Sequence, residues 1–327
     1  MTVDAALLEV LQCPSCQGHL NDNQSVLLCD SCGKQFPVFE GIPDLTFFRS
    51  GSEQDDFNQA QASYEAALHD QAAESAYEEQ FIPVYGTKTR LVARNWADRL
   101  KRLSPPVRVL DYGCGTGQLS RVLGQHFMPL FAFDISSASV RKNVAENGVL
   151  GCVANALFLP FKEHAFDVVC MSGVLHHIMD LPQAIGEISR VTKSFVFVSD
   201  IIPHSWPKLR RILAYPGLSL KLLYGSWTVV SIAYGIARKL GRTIETGCSL
   251  PKPADAGPMS KYERPIASET VETLFRDAGF SRERLQYWTN LDYPGNGLVK
   301  RLATMALVNE TIGTHFDLEL RRNQGNP

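Results

Sequence analysis

VRVLDYGCGTG, residues 107–117, reads as a short buried strand that opens directly into a glycine-rich turn. Val107, Val109 and Leu110 form the apolar run of the strand, and Asp111 stands at its carboxyl end, where open α/β sheets bind ligands. The glycines permit tight turning and close approach of the backbone to a bound molecule. Apolar residues then recur at helical spacing, so the first N–H groups of a helix would face the turn. The stretch predicts a pocket for a nucleotide or a related cofactor.

The composition of the chain excludes several classes of protein. Its 327 residues, 45% of them hydrophobic, are enough for one large domain and a smaller one. The formal net charge is -2 and the pI is about 6.5, so the whole chain exerts no general attraction on nucleic acid. The amino-terminal stretch has no basic segment before its short apolar run, so no signal peptide is predicted and an intracellular, reducing compartment is expected.

Four of the eight cysteines form two CxxC pairs, Cys13 with Cys16 and Cys29 with Cys32. Each pair can form a tight turn that points two thiolates inward, and four thiolates complete a tetrahedral zinc site. Redox-active pairs and plain structural cysteines are the alternatives, and the duplication at this spacing favours zinc. Because protein would fill all four ligand positions, the metal would stabilise the fold and carry out no chemistry.

The segment after these cysteines, KQFPVFEGIPDL, alternates apolar and polar residues and ends in turn residues, which predicts a strand that completes a zinc ribbon. Residues 1–50 resemble the small zinc-ribbon proteins that act as activator subunits of tRNA and protein methyltransferases, which end in a similar strand. The residues that carry this resemblance are Phe36, Pro37, Val38, Gly41, Ile42, Pro43 and Leu45.

Residues 51–86 are predicted to form an acidic, partly helical connector. Between positions 51 and 80 there are eight acidic side chains and no Lys or Arg. Such runs are usually solvated helix faces, and an acidic docking surface is the alternative. From residue 87 the pattern changes to a helix with one apolar face that leads into the opening strand. That face carries Val92, Trp96, Leu100 and Leu103.

Downstream of the glycine turn, strand and helix patterns alternate regularly. Strands are predicted at PLFAFDIS, LGCVAN, FDVVCMSG and SFVFVSD, with helices at SSASVRKNVAEN and around residues 181–191. The second helix carries Leu181, Ile185, Ile188 and Val191 as its apolar residues. Strands and helices that alternate at this spacing produce right-handed crossovers in a mostly parallel, doubly wound α/β sheet. A last helix, VETLFRDAGF, and two closing strands, ERLQYWTNL and RLATMALVNE, are predicted near the carboxyl end.

The turn G-C-G-T-G differs from two known phosphate-binding loops. It lacks the extra residue of the G-x-G-x-x-G fingerprint, which disfavours a dinucleotide, and the Lys-Ser/Thr ending of a P-loop, which disfavours a nucleoside triphosphate. Asp134 ends the second strand of the alternation, where a carboxylate can accept hydrogen bonds from both hydroxyls of a ribose. The pattern favours an adenosine that carries no phosphates.

Four ordered motifs over residues 105–200 resemble the class I S-adenosylmethionine-dependent methyltransferases. They are VRVLDYGCGTG, the acid in FAFDIS, NALFLPF, and FDVVCMSGVLHHIMDLPQAIGEISRV. The resemblance implies a Rossmann-like methyltransferase sheet of seven strands and S-adenosyl-L-methionine as the cofactor. A relic of the fold that binds no cofactor is the alternative.

By that resemblance, each part of the cofactor has its own residues. Asp134 would hold the ribose, Ile135 would pack on the adenine face, and Asn155 with Ala156 would meet the adenine edge. The family more often has Asp where Asn155 stands, but an amide oxygen can also accept from the adenine amino group. The methionine part would lie against the turn, and Ser172 is a further candidate for cofactor binding. The turn residues are Asp111, Gly113, Cys114, Gly115 and Gly117.

Two adjacent histidines are the candidate catalytic residues. Methyl transfer is an in-line displacement at a sulfonium, so the protein must mainly align the reactants, exclude water and activate the acceptor. His176 and His177 follow the fourth strand, where the family's acceptor pocket begins, and a neutral imidazole can take a proton from a hydroxyl. Histidines that make only local hydrogen bonds at a helix start are the alternative. No D-P-P-Y or N-P-P-Y tetrapeptide follows, which disfavours the amino-methylating nucleic-acid enzymes.

A long insertion separates the fifth strand from the last helix. Residues 201–242 contain seven Lys or Arg and no Asp or Glu among many apolar and aromatic residues. Gly, Ser and Pro interrupt the run too often for a membrane span. A helical lid over the acceptor pocket, residues 201–262, is favoured, and a basic, aromatic surface for anionic membrane is the alternative. Tyr262 and Arg264 are candidate acceptor contacts.

The sequence thus predicts a cytoplasmic S-adenosylmethionine-dependent methyltransferase with a structural zinc ribbon. Its core would span residues 87–200, followed by the lid and by closing elements over residues 263–327. The predicted acceptor is a small or lipid-like molecule, and peripheral membrane contact through residues 201–242 is the alternative to a lid. A ribosomal-RNA guanine methyltransferase is one alternative, and nucleic acid is disfavoured because the zinc module is not strongly basic. A non-catalytic adaptor that retains only the cofactor fold is another.

Overall fold

The computed structural model describes residues 2–74, 87–201, 264–288 and 315–323 of the chain. Four sequence-based predictions lie wholly or partly outside these residues. They are the end of the connector at 75–86, the lid beyond Ile201 together with Tyr262, the end of the strand ERLQYWTNL at 289–291, and the closing strand at 301–310. Within the described residues, no helix combines the length and the apolar character that crossing a bilayer requires.

The amino-terminal residues form a small ribbon. Helix α1 (Ala5–Val10) precedes four antiparallel strands in sequential order. The strands are β1 (Leu20–Asp22), β2 (Val26–Cys29), β3 (Gln35–Phe39) and β4 (Ile42–Pro43). In β3 the side chains of Phe36 and Val38 are buried while their neighbours are exposed, which confirms the alternating strand that the sequence predicted.

The ribbon packs directly on the larger domain. After β4, Asp44 pairs in parallel with Val153, and the Leu45 N–H donates to the Val153 carbonyl at 2.8 Å. At a second place the Lys162 N–H donates to the Val10 carbonyl at 2.9 Å. Apolar side chains of the ribbon and of the larger domain lie in one buried cluster, so the two regions share a hydrophobic core.

In the part of the chain that the structure describes, the large sheet has seven strands. They are β5 (Val109–Tyr112), β6 (Leu130–Asp134), β7 (Leu150–Val153), β8 (Phe166–Ser172), β9 (Thr192–Ile201), β10 (Phe280–Trp288) and β11 (His315–Arg322). Their spatial order is β7-β6-β5-β8-β9-β11-β10, and β11 alone runs antiparallel to its neighbours. The prediction of a doubly wound, mostly parallel sheet of seven strands is confirmed. The strand order reverses between β5 and β8, and such sheets bind ligands at the carboxyl ends of the strands beside that reversal.

Helices cover both faces of the sheet and its carboxyl end. They are α2 (Glu53–Glu74), α3 (Thr87–Leu100), α4 (Ser120–Leu123), α5 (Ser137–Asn147), α6 (Leu181–Val191) and α7 (Ser268–Asp277). Trp96 of α3 stacks on Phe197 of β9, with ring centroids 5.6 Å apart. On the opposite face Ile185 and Ile188 of α6 are buried. The apolar faces predicted for these two helices are therefore confirmed.

Helix α2 differs from the solvated connector that the sequence predicted. Four of its polar residues are buried, namely Asp55, Asn58, Gln61 and Glu65. The helix is held at its far end by Asp70, whose Oδ1 accepts from Ser136 Oγ at 2.7 Å and from the Ala138 N–H at 2.9 Å. The sequence prediction missed this buried polar face, because such a face leaves no apolar periodicity in the sequence.

Two boundaries also differ from the sequence prediction. Strand β7 ends at Val153, so Asn155 lies in the following loop and not at the strand end. The helix after the glycine turn covers only Ser120–Leu123, although Leu119, Leu123 and Phe127 are buried as their spacing predicted.

Candidate functional site

The four ribbon thiols form a compact cluster. Cys13 Sγ lies 3.7 Å from Cys32 Sγ, Cys16 Sγ lies 3.5 Å from Cys29 Sγ, and all four sulfur atoms lie within 4.8 Å of one another. Zn–S bonds of about 2.3 Å at tetrahedral angles place sulfur atoms about 3.8 Å apart, so the cluster fits a structural zinc ion. Burial raises the pKa of the Cys29 thiol, but N–H groups of Cys32 and Ser31 and the Cys16 thiol outweigh it and lower the pKa to about 7.

The glycine turn supplies one wall of a cavity, and its glycines have different roles. Gly115 has φ +48°, and a Cβ on it would meet no atom within 4 Å, so its bare backbone borders open space. At Gly117, φ is +93° and a Cβ would lie 2.2 Å from Asn143 Oδ1. Gly115 therefore leaves room for a ligand, whereas Gly117 lets helix α5 pack against the turn.

The cavity has a volume of about 390 Å³ and lies under helix α2, at the carboxyl ends of the parallel strands. Most residues that the sequence predicted for cofactor binding line it, and Gly117 does not. The lining members of that set are Asp111, Gly113, Cys114, Gly115, Asp134, Ile135, Asn155, Ala156 and Ser172. The structure brings these residues together, while the contact of each with a cofactor stays a prediction.

Asp134 is held in a fixed orientation at the end of β6. Its Oδ2 accepts from the Gly115 N–H at 2.8 Å, and its Oδ1 accepts from the Ser136 N–H at 2.9 Å. Each carboxylate oxygen can accept a further hydrogen bond, so the side chain can still meet a pair of ribose hydroxyls. The geometry fits the role that the sequence predicted for Asp134.

Asp111 is a buried carboxyl group at the end of β5. Its Oδ2 accepts from Ser120 Oγ at 2.6 Å. Burial and the neighbouring Asp134 charge raise the pKa of Asp111 to about 7, although the hydrogen bond from Ser120 opposes the shift. A bound ammonium group would stabilise the charged form, and the methionine part of S-adenosylmethionine carries such a group. The site therefore fits that cofactor.

Asn155 connects the cavity to the ribbon. Its Oδ1 accepts from the Leu157 N–H at 3.0 Å, and its Nδ2 donates to the Phe47 carbonyl at 3.0 Å. The amide oxygen can accept one more hydrogen bond, and the predicted contact with an adenine amino group requires one. The orientation of Asn155 depends on the chain that leaves the ribbon.

The two candidate catalytic histidines occupy different environments. His176 is buried outside the cavity lining, and its Nδ1 lies 2.6 Å from Asp200 Oδ1. Burial raises the pKa of Asp200, but the hydrogen bond and charge of His176 outweigh it and hold that pKa below its usual range. His177 lines the cavity, and its Nδ1 lies 3.3 Å from Glu65 Oε2. Of the two, His177 is the one that lines the cavity.

Sequence reasoning missed the contribution of α2 to the site. Asn58, Gln61, Glu65 and His69 line the cavity from above. Their spacing of three or four residues places them on one helix face, which is the signal that could have indicated a buried polar surface. An analysis of apolar periodicity alone does not detect it.

Arg264 supports the histidine loop and does not line the cavity. Its Nη2 donates to the Met179 carbonyl at 2.7 Å, and its backbone N–H donates to the His176 carbonyl at 3.0 Å. The predicted acceptor contact of Arg264 stays a prediction, and that of Tyr262 falls outside the described residues.

Comparisons with known proteins match two parts of the chain. Residues 110–197 match the family described as a methyltransferase domain, and residues 4–41 match the Trm112p-like protein family. An arginine-hydroxylase NDUFAF5 of Danio rerio is 42% identical over 86 residues, which cover 26% of this chain and 27% of that protein. A ubiquinone/menaquinone biosynthesis C-methyltransferase of Vibrio campbellii is 37% identical over 100 residues, 27% of this chain and 38% of that protein.

These matches are partial. The chain spans less than half the length of the curated relatives that it matches. The matched part is between 25% and 44% of each relative's length. Among solved structures, magnesium protoporphyrin IX methyltransferase from Synechocystis PCC 6803 has a TM-score of 0.47 and 16% identity, covering 82% of this chain and 97% of that one. A complex that contains the Haloferax volcanii Trm112 methyltransferase activator also has a TM-score of 0.47, with 16% identity and coverage of 78% and 96%.

The two family matches agree with the two sites. The cavity beside the glycine turn has a lining that fits S-adenosylmethionine, and the four thiols have a spacing that fits zinc. Residues 110–197 thus match the methyltransferase-domain family, and residues 4–41 match the Trm112p-like protein family and form a four-cysteine ribbon in the same chain.

Proposed function

We propose that the chain transfers the methyl group of S-adenosylmethionine to a small-molecule acceptor that binds at the His177 side of the cavity. The observation that carries this proposal is one continuous cavity that extends from Asp111 and Gly115 past Ile135 to His177, under helix α2. Its volume of about 390 Å³ falls within the range of small-molecule sites.

In this proposal the protein aligns and encloses the reactants. Asp111 would pair with the ammonium of the methionine part, Asp134 would accept from the ribose hydroxyls, and Ile135 would pack on the adenine. Bound S-adenosylmethionine supplies an electrophilic methyl group. Helix α2 would exclude water, which strengthens the electrostatic contacts beneath it, and His177 is placed to orient the acceptor atom.

The proposed acceptor is lipid-like. Two observations support this class: relatives that share the core are named as quinone methyltransferases, and residues 201–242 are basic, aromatic and free of acidic side chains. A chain of this composition would contact anionic membrane from the cytoplasmic side. We therefore place the proposed reaction in the cytoplasm, at a membrane surface.

Two other functions are weaker candidates. A ribosomal-RNA methyltransferase would need cationic groups beside its site, whereas α2 begins with the acidic residues Glu53, Asp55 and Asp56 and carries Glu65 over the cavity. A non-catalytic adaptor would bind no cofactor. The Danio rerio relative that shares part of this core is named as a hydroxylase. The reaction product of this chain must therefore be measured directly.

Calorimetry with S-adenosylmethionine tests the cofactor part of the proposal. We expect micromolar binding, at least tenfold weaker binding by Asp134→Ala, and unchanged binding by Asp98→Ala, which alters an exposed carboxylate of α3. Absence of binding to both S-adenosylmethionine and S-adenosylhomocysteine would support the adaptor.

Methyl-labelled S-adenosylmethionine tests the acceptor. The full chain is incubated separately with a lipid extract, a water-soluble metabolite extract and total RNA from its source cells, and S-adenosylhomocysteine is quantified in each. Label in the lipid fraction, equal in amount to S-adenosylhomocysteine, is expected. Label in RNA would overturn the small-molecule proposal, and cofactor binding without any methyl transfer would overturn the proposed activity.

A further inference from the structure

A cluster of two imidazoles and one carboxylate borders the cavity and is separate from the ribbon thiols. Glu65 and His69 lie one helical turn apart on α2, and His177 ends the 3₁₀ helix Leu175–His177. The potential ligand atoms of the three side chains lie within 4.8 Å of one another. We propose that Glu65, His69 and His177 bind a divalent first-row transition metal ion at the acceptor side of the cavity.

The distances between donor atoms support this assignment. Glu65 Oε2 lies 3.3 Å from His177 Nδ1 and 3.7 Å from His69 Nε2. Ligands bound at about 2.1 Å with angles between 90° and 109° lie about 3.0–3.4 Å apart. These two spacings are close to those values and the third pair of donor atoms lies within 4.8 Å, so side-chain rotations would bring all three donors onto one ion.

The charge of the cluster also suits a cation. The Glu65 side chain is only 7% exposed, while those of His177 and His69 are 21% and 39% exposed. A divalent ion would place positive charge beside this buried carboxylate. Two imidazoles with one carboxylate form a donor set that selects transition metals over calcium or magnesium.

Gln61 fixes the two segments that carry the donors. It lies one turn before Glu65 on α2, and its Nε2 donates to the carbonyl of His177. Its Oε1 accepts from the Met179 N–H at 3.3 Å. This side chain therefore ties the loop after β8 to α2, so the third donor is held in place before any ion arrives.

Three protein donors leave coordination positions for another ligand. All three residues line the cavity, so a hydroxyl, phenol or carboxylate oxygen of an acceptor can complete the coordination and be polarised by the ion. This role for the metal rests on the proposed function, whereas metal binding itself does not. The zinc site of the ribbon has no such open position, because its four thiolates fill the coordination sphere.

The ribbon zinc provides an internal standard for the test. The full chain, purified with its zinc, is equilibrated with Co²⁺, desalted, and analysed for both metals by mass spectrometry. We expect about one zinc and about one cobalt per chain, with a cobalt spectrum that lacks thiolate charge-transfer bands. Glu65→Gln and His69→Gln should each weaken cobalt binding at least tenfold and leave zinc unchanged.

Matched controls separate this site from adventitious binding. Glu74→Gln changes an exposed carboxylate of the same helix, and His126→Gln changes an exposed imidazole elsewhere, so both should retain cobalt. The proposal is overturned if wild type binds no more cobalt than Glu65→Gln, or if cobalt displaces zinc and shows thiolate bands. Calorimetry with S-adenosylmethionine on the same samples distinguishes the two proposals. If the chain binds the cofactor but no cobalt, the methyltransferase proposal stands and the metal site is wrong. If the chain binds cobalt but no cofactor, the metal site stands and the methyltransferase proposal is wrong.

Discussion

The zinc ribbon and the cofactor cavity are built from residues with very different separations along the chain. The four zinc ligands lie between Cys13 and Cys32, in a segment that closes on itself. The cavity is lined by residues from Asn58 on α2 to Ile178 after β8. A site built from one short segment forms as that segment folds. A site assembled from distant segments exists only after the whole domain has folded. Substitutions in the ribbon should therefore affect folding first, and those in the cavity should affect binding first.

Loss of the zinc ligands should have the largest effect. Cys16→Ser with Cys32→Ser removes two thiolates, and structural zinc supplies on the order of 10 kcal/mol of apparent folding free energy in small zinc domains. Because the ribbon shares its core with the larger domain, we expect loss of zinc and failure to accumulate as folded protein. Zinc content and thermal unfolding measure this, with Ser15→Ala as the control. Unchanged unfolding without zinc would show that the ribbon is only an appendage.

Substitutions at two glycines of the same turn should have different effects, one mainly on cofactor binding and the other mainly on stability. Gly115→Val places a side chain in open space, so we expect about a hundredfold weaker binding of S-adenosylmethionine and a stability loss of about 1 kcal/mol from the left-handed backbone. Gly117→Ala puts a methyl group against Asn143 and should mainly lower the melting temperature. Calorimetry and thermal melts of both variants check the contrast, which would fail if Gly115→Val unfolded and Gly117→Ala lost only affinity.

The raised pKa of Asp111 predicts a pH-dependent affinity. Below about pH 7 the free protein holds this carboxyl protonated, so pairing with the cofactor ammonium requires loss of a proton. Affinity for S-adenosylmethionine should fall about tenfold from pH 8 to pH 6, and Asp111→Asn should bind more weakly without that dependence. Calorimetry across this range measures the effect.

The same group should destabilise the cofactor-free protein at neutral pH. A carboxyl whose folded pKa lies above its unfolded value makes stability fall as pH rises through the interval between the two, here from about 4 to about 7. Asp111→Asn removes this contribution while keeping an acceptor for Ser120 Oγ, so its melting temperature at pH 8 should exceed that of wild type. A lower melting temperature would show that the charge of Asp111 is already compensated in the free protein.

Release of one end of α2 should have the smallest effect. Asp70→Ala removes the acceptor for Ser136 Oγ and the Ala138 N–H, which should cost about 1 kcal/mol of stability. Because α2 covers the cavity, dissociation of S-adenosylmethionine should become a few times faster. Stopped-flow measurements test this, with Glu74→Gln as the control, and an unchanged dissociation rate would indicate that α2 covers the cavity without retaining the ligand.

The sequence predicted features that depend on neighbouring residues. The strand and turn at residues 107–117, the four thiols of the ribbon and the apolar face of α6 are local patterns, and each is confirmed. The parallel sheet followed from the repeated alternation of strand and helix. These features follow from steric and apolar periodicity, which a single sequence records.

Features that depend on side-chain direction or on distant partners were not predictable. His176 and His177 are adjacent in sequence, yet one turns to Asp200 and the other to Glu65. The burial of Glu65 reflects a loop more than a hundred positions away, and no local pattern marks it. The polar face of α2 was therefore assigned to solvent although it covers the site.

The pairing of the ribbon with Val153 has a consequence for the solubility of the domain. Strand β7 is a terminal strand of the large sheet, and a bare terminal strand offers unpaired backbone groups to other chains. The Leu45 N–H already occupies the Val153 carbonyl, so this side of the sheet is shielded from self-association. We expect a methyltransferase domain cut free of its ribbon to expose the end of that strand and its apolar neighbours, and therefore to aggregate more readily than the full chain.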